Sequence, residues 1–317
     1  MVRRLLNPKI DFVFKKIFGS DKHPGVLISF LNAVLKPKND ITSVEIKNAD
    51  IDKSYINDKF SRLDVKAVTN KNEIINIEIQ MKNEYNMIQR SLYYWSKLYE
   101  EQLEEGDRYD KLCRTVCINI LDFKYLKNDR FHNGYRLKEI DTNEELTDLE
   151  EIHFIEIPKL KKLNSEKEIV DMLEGWVEFL RDPESEVVRK LEMTNKEIRE
   201  AKDELYRLSM DEKERELYFV REKSIRDEIS ALANAEEKGI IKGIEQGRKE
   251  EQIKIASSLL DILDIETISL KTGLSIEEVS KLKDMRYSVY NILDKVAILN
   301  YINGYFFTVK LYYSNRT

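Results

Sequence analysis

Ile74-Ile75-Asn76-Ile77-Glu78-Ile79-Gln80, with Arg62-Leu63-Asp64-Val65-Lys66-Ala67-Val68 before it, is the stretch on which the fold turns. In both segments apolar and polar residues alternate, the period of a strand with one buried face. Leu63, Val65 and Ala67 fall on one face of the first segment, Asp64 and Lys66 on the other. Ile75, Ile77 and Ile79 share one face of the second, Glu78 and Gln80 the opposite one. The short link Thr69-Asn70-Lys71-Asn72 predicts a hairpin. Pairing gathers two carboxylates, a lysine and an amide on one face, an oxygen-rich set suited to a hard divalent cation. A half-buried hairpin also has a polar face that simply meets water, so the hairpin alone does not decide between chemistry and solvation.

Two flanking helices shift the balance. Pro8 to Phe18 reads as a helix with Pro8 in its first turn. Ile10, Val13, Phe14 and Ile17 form its inward stripe, and Asp11 sits at the edge of that stripe. Asp11 is either a first-turn acid favoured by the helix dipole or a third carboxylate turned towards the sheet. After the hairpin, 86–105 reads as a second helix closed by Gly106, with Ile88, Leu92, Trp95, Tyr99 and Leu103 as its apolar stripe. Arg90, Tyr94 and Lys97 fall together on another face, a cationic and phenolic row that suits a phosphate backbone or, equally, a solvated helix surface.

Helix with Asp, strand with Asp, strand with Glu-x-Gln, helix with Arg and Tyr: this order resembles the PD-(D/E)XK nuclease superfamily. More narrowly it resembles the Rpn-type recombination-promoting nucleases, a family often labelled as transposases. The resemblance rests on Asp11 to Gly19, Leu63-Asp64-Val65, Ile77-Glu78-Ile79-Gln80, and Arg90 through Tyr94 to Gly106, and it spans roughly residues 1 to 283. It implies a restriction-endonuclease-like α/β fold, a mixed central sheet flanked by helices, followed by a mostly helical C-terminal region. It also implies metal-dependent hydrolysis of DNA phosphodiester bonds in the service of recombination. Asp64 and Glu78 would hold Mg²⁺ or Mn²⁺ with the Ile79 carbonyl, Gln80 would orient the attacking water, and Asp11 would complete the acidic cluster. Arg90, Tyr94 and Lys97 would meet the substrate. Leu63 replaces the superfamily's proline, and Gln80 replaces its usual lysine. Gln80 carries no charge, so Lys66, on the face of Asp64, is expected to supply the cation that offsets charge on the phosphate.

The net charge of −6 excludes a globally basic nucleic-acid binder but leaves room for a local basic face. Residues 1–39 carry eight Lys or Arg against Asp11 and Asp21, whereas Lys138 to Glu156 is acidic. Cys113 and Cys117 lack metal or redox spacing and read as a reduced, buried pair; His23, His132 and His153 are scattered. No run approaches the roughly 20 apolar residues of a membrane span, and no leader is apparent, so the expected location is the cytoplasm.

The organisation expected is a nuclease-like domain over 1–160, a charged helical arm over 161–238, a glycine-spaced helix with a helix-turn-helix-like unit over 239–286, and an aromatic tail over 287–317. Trp176, Phe179 and Leu180 make an apolar patch before the breaker Asp182-Pro183. Gly239, Gly243 and Gly247 form a stripe that suggests close approach of another helix, including one from a second copy, so a homo-oligomer through the C-terminal helices is expected. In 268–279, Gly273 marks a turn and Ser275 an N-cap, but Glu277 and Glu278 sit where a recognition helix would want donors. The tail holds six tyrosines and the hairpin signal Asn303-Gly304. Two alternatives to the nuclease stand: a non-enzymatic DNA-binding or regulatory protein, and an inactive helical oligomerisation scaffold.

Overall fold

In the computed structural model, residues 4–47, 64–161 and 171–286 are described. The first strand's start (61–63) and the aromatic tail fall outside them. The chain parts into two units, residues 1–229 and 230–317.

The first unit is built on a six-stranded mixed sheet of order β1-β2-β3-β4-β6-β5. These strands are β1 (Val44–Lys47), β2 (Val65–Thr69), β3 (Ile74–Gln80), β4 (Thr115–Leu121), β5 (His132–Lys138) and β6 (Glu145–Glu156). The predicted hairpin forms: β2 pairs antiparallel with β3 in the register Val65↔Ile77 and Val68↔Ile74. Asn72 closes its turn with φ 62°, a left-handed conformation that asparagine tolerates. β3, β4 and β6 run parallel, and β4 is buried along its whole length, as a central strand covered on both faces must be. β5 escaped the sequence reading because it is an edge strand: beyond Asn133 its residues are exposed, and polar side chains blunt the open edge.

One face of the sheet carries Val65, Ala67, Ile75, Ile77, Ile79, Val116, Ile118 and Ile120 into the main core. Helices α1 (Asp11–Phe18) and α2 (Pro24–Leu35) pack there. So do α4 (Met172–Arg181), α5 (Glu186–Thr194) and α6 (Lys196–Met210), which composition had assigned to a charged arm. Their apolar minority explains this. Trp176, fully buried, meets Phe18 edge-on at 5.4 Å and Phe179 at 6.0 Å, and Leu173, Ile198, Leu205 and Leu208 join the same core. Sparse apolar residues at helical spacing suffice to bury a helix whose outer face is charged.

The opposite face is covered by α3 (Met87–Glu100). This helix ends a turn earlier than expected, and Gly106 (φ 89°) lies in the turn beyond it rather than at its cap. Its inward face is also rotated from the expected stripe. Met87, Ser91, Tyr94 and Leu98 are buried, whereas Ile88 and Leu92 are exposed. The reason is the surface beneath: that sheet face presents Asn76, Glu78 and Asn119, and Ser91 Oγ donates to Asn119 Oδ1 at 2.9 Å. A polar sheet face selects the polar side of the helix, since buried polar groups need partners.

α7 (Glu212–Leu259) begins in the first unit and continues in the second. In the second unit α8 (Ile265–Thr272) is followed by a helix from 276 to 286. Ala256, Ile268, Leu274 and Val279 form its small core. Gly273 takes φ 74° at the end of α8, and Ser275 and Glu278 bond each other's backbone N–H (3.2 and 2.8 Å), a reciprocal capping box. Among the described residues nothing lies within 4 Å of a Cβ built on Gly239, Gly243 or Gly247. No helix of the described residues is long and apolar enough to cross a membrane.

Candidate active site

The two acids of the hairpin meet at the carboxyl end of β3. Asp64 stands one step before Val65, whose partner is Ile77, so it lies opposite Glu78 on the polar face. Asp64 Oδ2 accepts the Ile79 N–H at 2.7 Å. An extended residue sends its N–H and C=O to the same side, so the Ile79 carbonyl also faces Asp64 rather than β4. Glu78 is only 2% exposed, and its Oε1 has no hydrogen-bond partner among the described residues.

Burial dominates the electrostatics. It pushes Asp64 up to about 6, against the opposing Ile79 hydrogen bond, with Asp11 adding to the rise and Arg90 and Lys15 reducing it. Burial and the Asp64 charge push Glu78 up to about 8, with Arg90 again reducing the rise. Two carboxylates this close in a dry site want a positive charge between them. Arg90 gives only part of it: its Nη2 lies 3.6 Å from Glu78 Oε2, its Nη1 3.6 Å from Glu84, and its buried Nε has no partner among the described residues.

This donor set fits a hard divalent cation. An orphaned carboxylate oxygen, a second, half-buried carboxylate and a backbone carbonyl on the same side are oxygen ligands of the right class, and Mg²⁺ keeps several waters when protein ligands are few. Among the described residues no three His, Cys, Asp or Glu side chains converge as a metal-binding group, so the fit is with a sparse site completed by water.

The remaining expected residues divide. Asp11 opens α1 and acts on Asp64 through its charge, but both its oxygens are taken by Arg221 (2.5 to 3.0 Å). Gln80 ends β3, half-buried, on the face of Glu78. Lys66 does not join: its Nζ bonds Glu101 at 3.0 Å, beyond the end of α3. Arg90 reaches the site, with its guanidinium 5.3 Å from the Tyr94 ring, but Tyr94 is buried in the core under α3. Lys97 pairs with Glu100 at 3.6 Å.

Sequence reading missed Lys82, Glu84, Arg221 and Glu228. Lys82 Nζ meets Glu228 at 2.5 Å and Glu84 at 2.7 Å. The only local signal for the α7 pair was the apolar interruption Leu217-Tyr218-Phe219-Val220 in a charged run, continued by Ile225. Tyr218 and Ile225 are buried against the main core and hold this face of α7 down.

A second polar cluster lies on the other sheet face. His132 Nε2 and His153 Nδ1 are 2.9 Å apart, and His153 Nε2 is 2.6 Å from Glu151. Burial opposes the ionisation of Glu151, but the hydrogen bonds from His153 and Arg114 outweigh it and hold the carboxyl at about 2. Both histidines looked scattered in sequence because strand pairing alone brings them together.

A family model described as PD-(D/E)XK nuclease family transposase matches residues 8–235. Neither a curated protein nor a solved structure matches the chain. The matched span carries the Asp11 helix, the acidic hairpin, the Arg90 helix and the opening turns of α7, and the chain belongs to the PD-(D/E)XK nuclease family transposases.

Proposed function

We propose that the chain is a DNA endonuclease that hydrolyses phosphodiester bonds with Mg²⁺ or Mn²⁺, and that the breaks it makes feed recombination. The observation that carries this reading is the buried Glu78 Oε1, without a partner among the described residues, beside the half-buried Asp64 carboxylate. Two carboxylates held side by side with one oxygen unsatisfied repel each other, and a bound cation would relieve that repulsion. Asp64, Glu78 and the Ile79 carbonyl would hold the cation. When bound, it polarises the scissile phosphate and lowers the pKa of a bound water.

The chain's own residues supply the rest. The Ile79 N–H fixes the Asp64 carboxylate through one oxygen and leaves Oδ1 to the site. Gln80, at the strand end, accepts and donates hydrogen bonds and so orients the attacking water without taking its proton. Arg90, fixed beside Glu78 and Glu84, offsets charge that develops on the phosphate oxygens. Two copies, joined through their C-terminal helices, would cut both strands, because one such site cuts one.

The test is plasmid cleavage with Mg²⁺ or Mn²⁺ beside Asp64→Ala and Glu78→Ala variants shown to be folded. Metal-dependent nicking or linearisation lost in both variants supports the reading. Folded wild-type protein that leaves DNA intact with either metal defeats it.

A further inference from the structure

The rim of the site is a chain of alternating charges, and α7 contributes two of its members. From Asp11 it passes to Arg221, which grips both carboxylate oxygens. Seven residues along the same helix, Glu228 holds Lys82 at 2.5 Å. Lys82 continues to Glu84 at 2.7 Å, and Arg90 bridges Glu84 to Glu78 at 3.6 Å each. A spacing of seven is two helical turns, so Arg221 and Glu228 share one face, and the buried Ile225 between them anchors it.

We propose that the Glu228 carboxylate stands in for a nucleic-acid phosphate, that Lys82 is the cradle for that phosphate, and that DNA enters by displacing Glu228. The identity of the polyanion as DNA rests on the nuclease reading; the cradle itself rests on the contacts. A carboxylate and a phosphodiester both carry one negative charge and accept the same lysine donors, so each can replace the other on Lys82. The Lys82–Glu228 pair has side chains 25% and 43% exposed, and ion pairs this wet contribute only about 0–1 kcal/mol, so exchange is easy. Lys82, two residues past Gln80, thereby provides the positive charge that Gln80 cannot and that Lys66, engaged with Glu101, does not.

Glu228 then acts as an internal competitor, and removing its charge strengthens DNA binding. Fluorescence anisotropy of a labelled DNA duplex with the full chain in chelator, at several salt concentrations, reads this without any turnover. Folded Glu228→Gln should bind DNA at least about fivefold tighter. Lys82→Gln should bind several-fold more weakly, with the salt slope reduced by about one, as expected when one phosphate contact is lost. The double variant should lose the gain. Unchanged or weaker binding by folded Glu228→Gln overturns the inference and makes the pair a mere anchor for α7, as does failure of every form to bind DNA. Cleavage is scored separately. A wild type that cuts, with no gain in Glu228→Gln, defeats the cradle and spares the nuclease; a gain in binding without metal-dependent cutting does the reverse.

Discussion

Asp64 Oδ2 accepts the backbone N–H of Ile79 at 2.7 Å, so one acid of the site is fixed by the residue that directly follows the other. The bond spends one carboxylate oxygen on positioning. Asp64→Asn keeps an oxygen for that N–H and should fold with stability near wild type. Asp64→Ala leaves the N–H without its partner and should lose about 1–3 kcal/mol in chemical denaturation. Both should abolish cleavage. Equal stability of the two variants would show that the Ile79 bond does not position the acid.

Glu78 makes a pH prediction whose sign is fixed by burial. In the fold Asp64 is pushed up to about 6 and Glu78 to about 8, from ordinary values of 3.8 and 4.5. The metal-free fold therefore binds more protons than the unfolded chain. The stability these groups contribute is full below about pH 4 and is lost as pH rises through 6 and 8. Thermal melts in chelator should show Tm falling over that window. Glu78→Gln, neutral and of the same shape, should flatten the fall and be more stable than wild type at pH 8, by on the order of 1–3 kcal/mol. Divalent cation should raise the wild-type Tm far more at pH 8 than at pH 5, because its ligands must be deprotonated. A Tm that ignores both pH and Glu78→Gln would mean that the pair is not held in a low-dielectric site.

The hairpin, the helix of Asp11 and the family resemblance were all legible in sequence because they depend on local period and on short motifs. Residues whose placement depends on distant packing were not. Lys66 shares a strand face with Asp64, yet Glu101 draws it away. Arg221 reaches Asp11 from 210 positions along the chain, in a charged run whose few apolar residues, Tyr218 and Ile225, decide which face turns inward. The rotation of α3 has the same origin: amphipathic pattern locates a helix, but the polar sheet face beneath it chose Ser91 and Tyr94 over Ile88 and Leu92.

His153 is fixed at both ring nitrogens, by His132 at 2.9 Å and Glu151 at 2.6 Å, and Gly134 on the neighbouring strand sits against it. A Cβ at Gly134 would lie 3.1 Å from His153 Cε1 and 3.2 Å from Nδ1. The ring cannot shift without breaking a bond, so Gly134→Ala should destabilise by about 1–3 kcal/mol. Burial, and then the His153 charge, hold His132 down at about 4 instead of 6.5. The folded state keeps it neutral, so its contribution is full above about pH 6.5 and is lost as pH falls to 4. Acid melts of His132→Gln should lose that part of the slope. A Gly134→Ala protein as stable as wild type would show that the edge strand yields freely.

Gly239, Gly243 and Gly247 lie inside α7 with nothing within 4 Å of an added Cβ among the described residues. In a lone chain, glycine in an exposed helix interior is only a weakness. Gly243→Ala should therefore stabilise the helix by about 0.5–1 kcal/mol, seen as higher helicity and Tm. If a second copy packs along the stripe, the same methyl group blocks close approach. Sedimentation would then show a weaker dimer, with Tm turning concentration-dependent in wild type and less so in the variant. Gain of helicity with unchanged mass would set the stripe aside as a contact. Loss of the dimer would assign it as the surface that brings two nuclease sites together, the arrangement that a double-strand break requires.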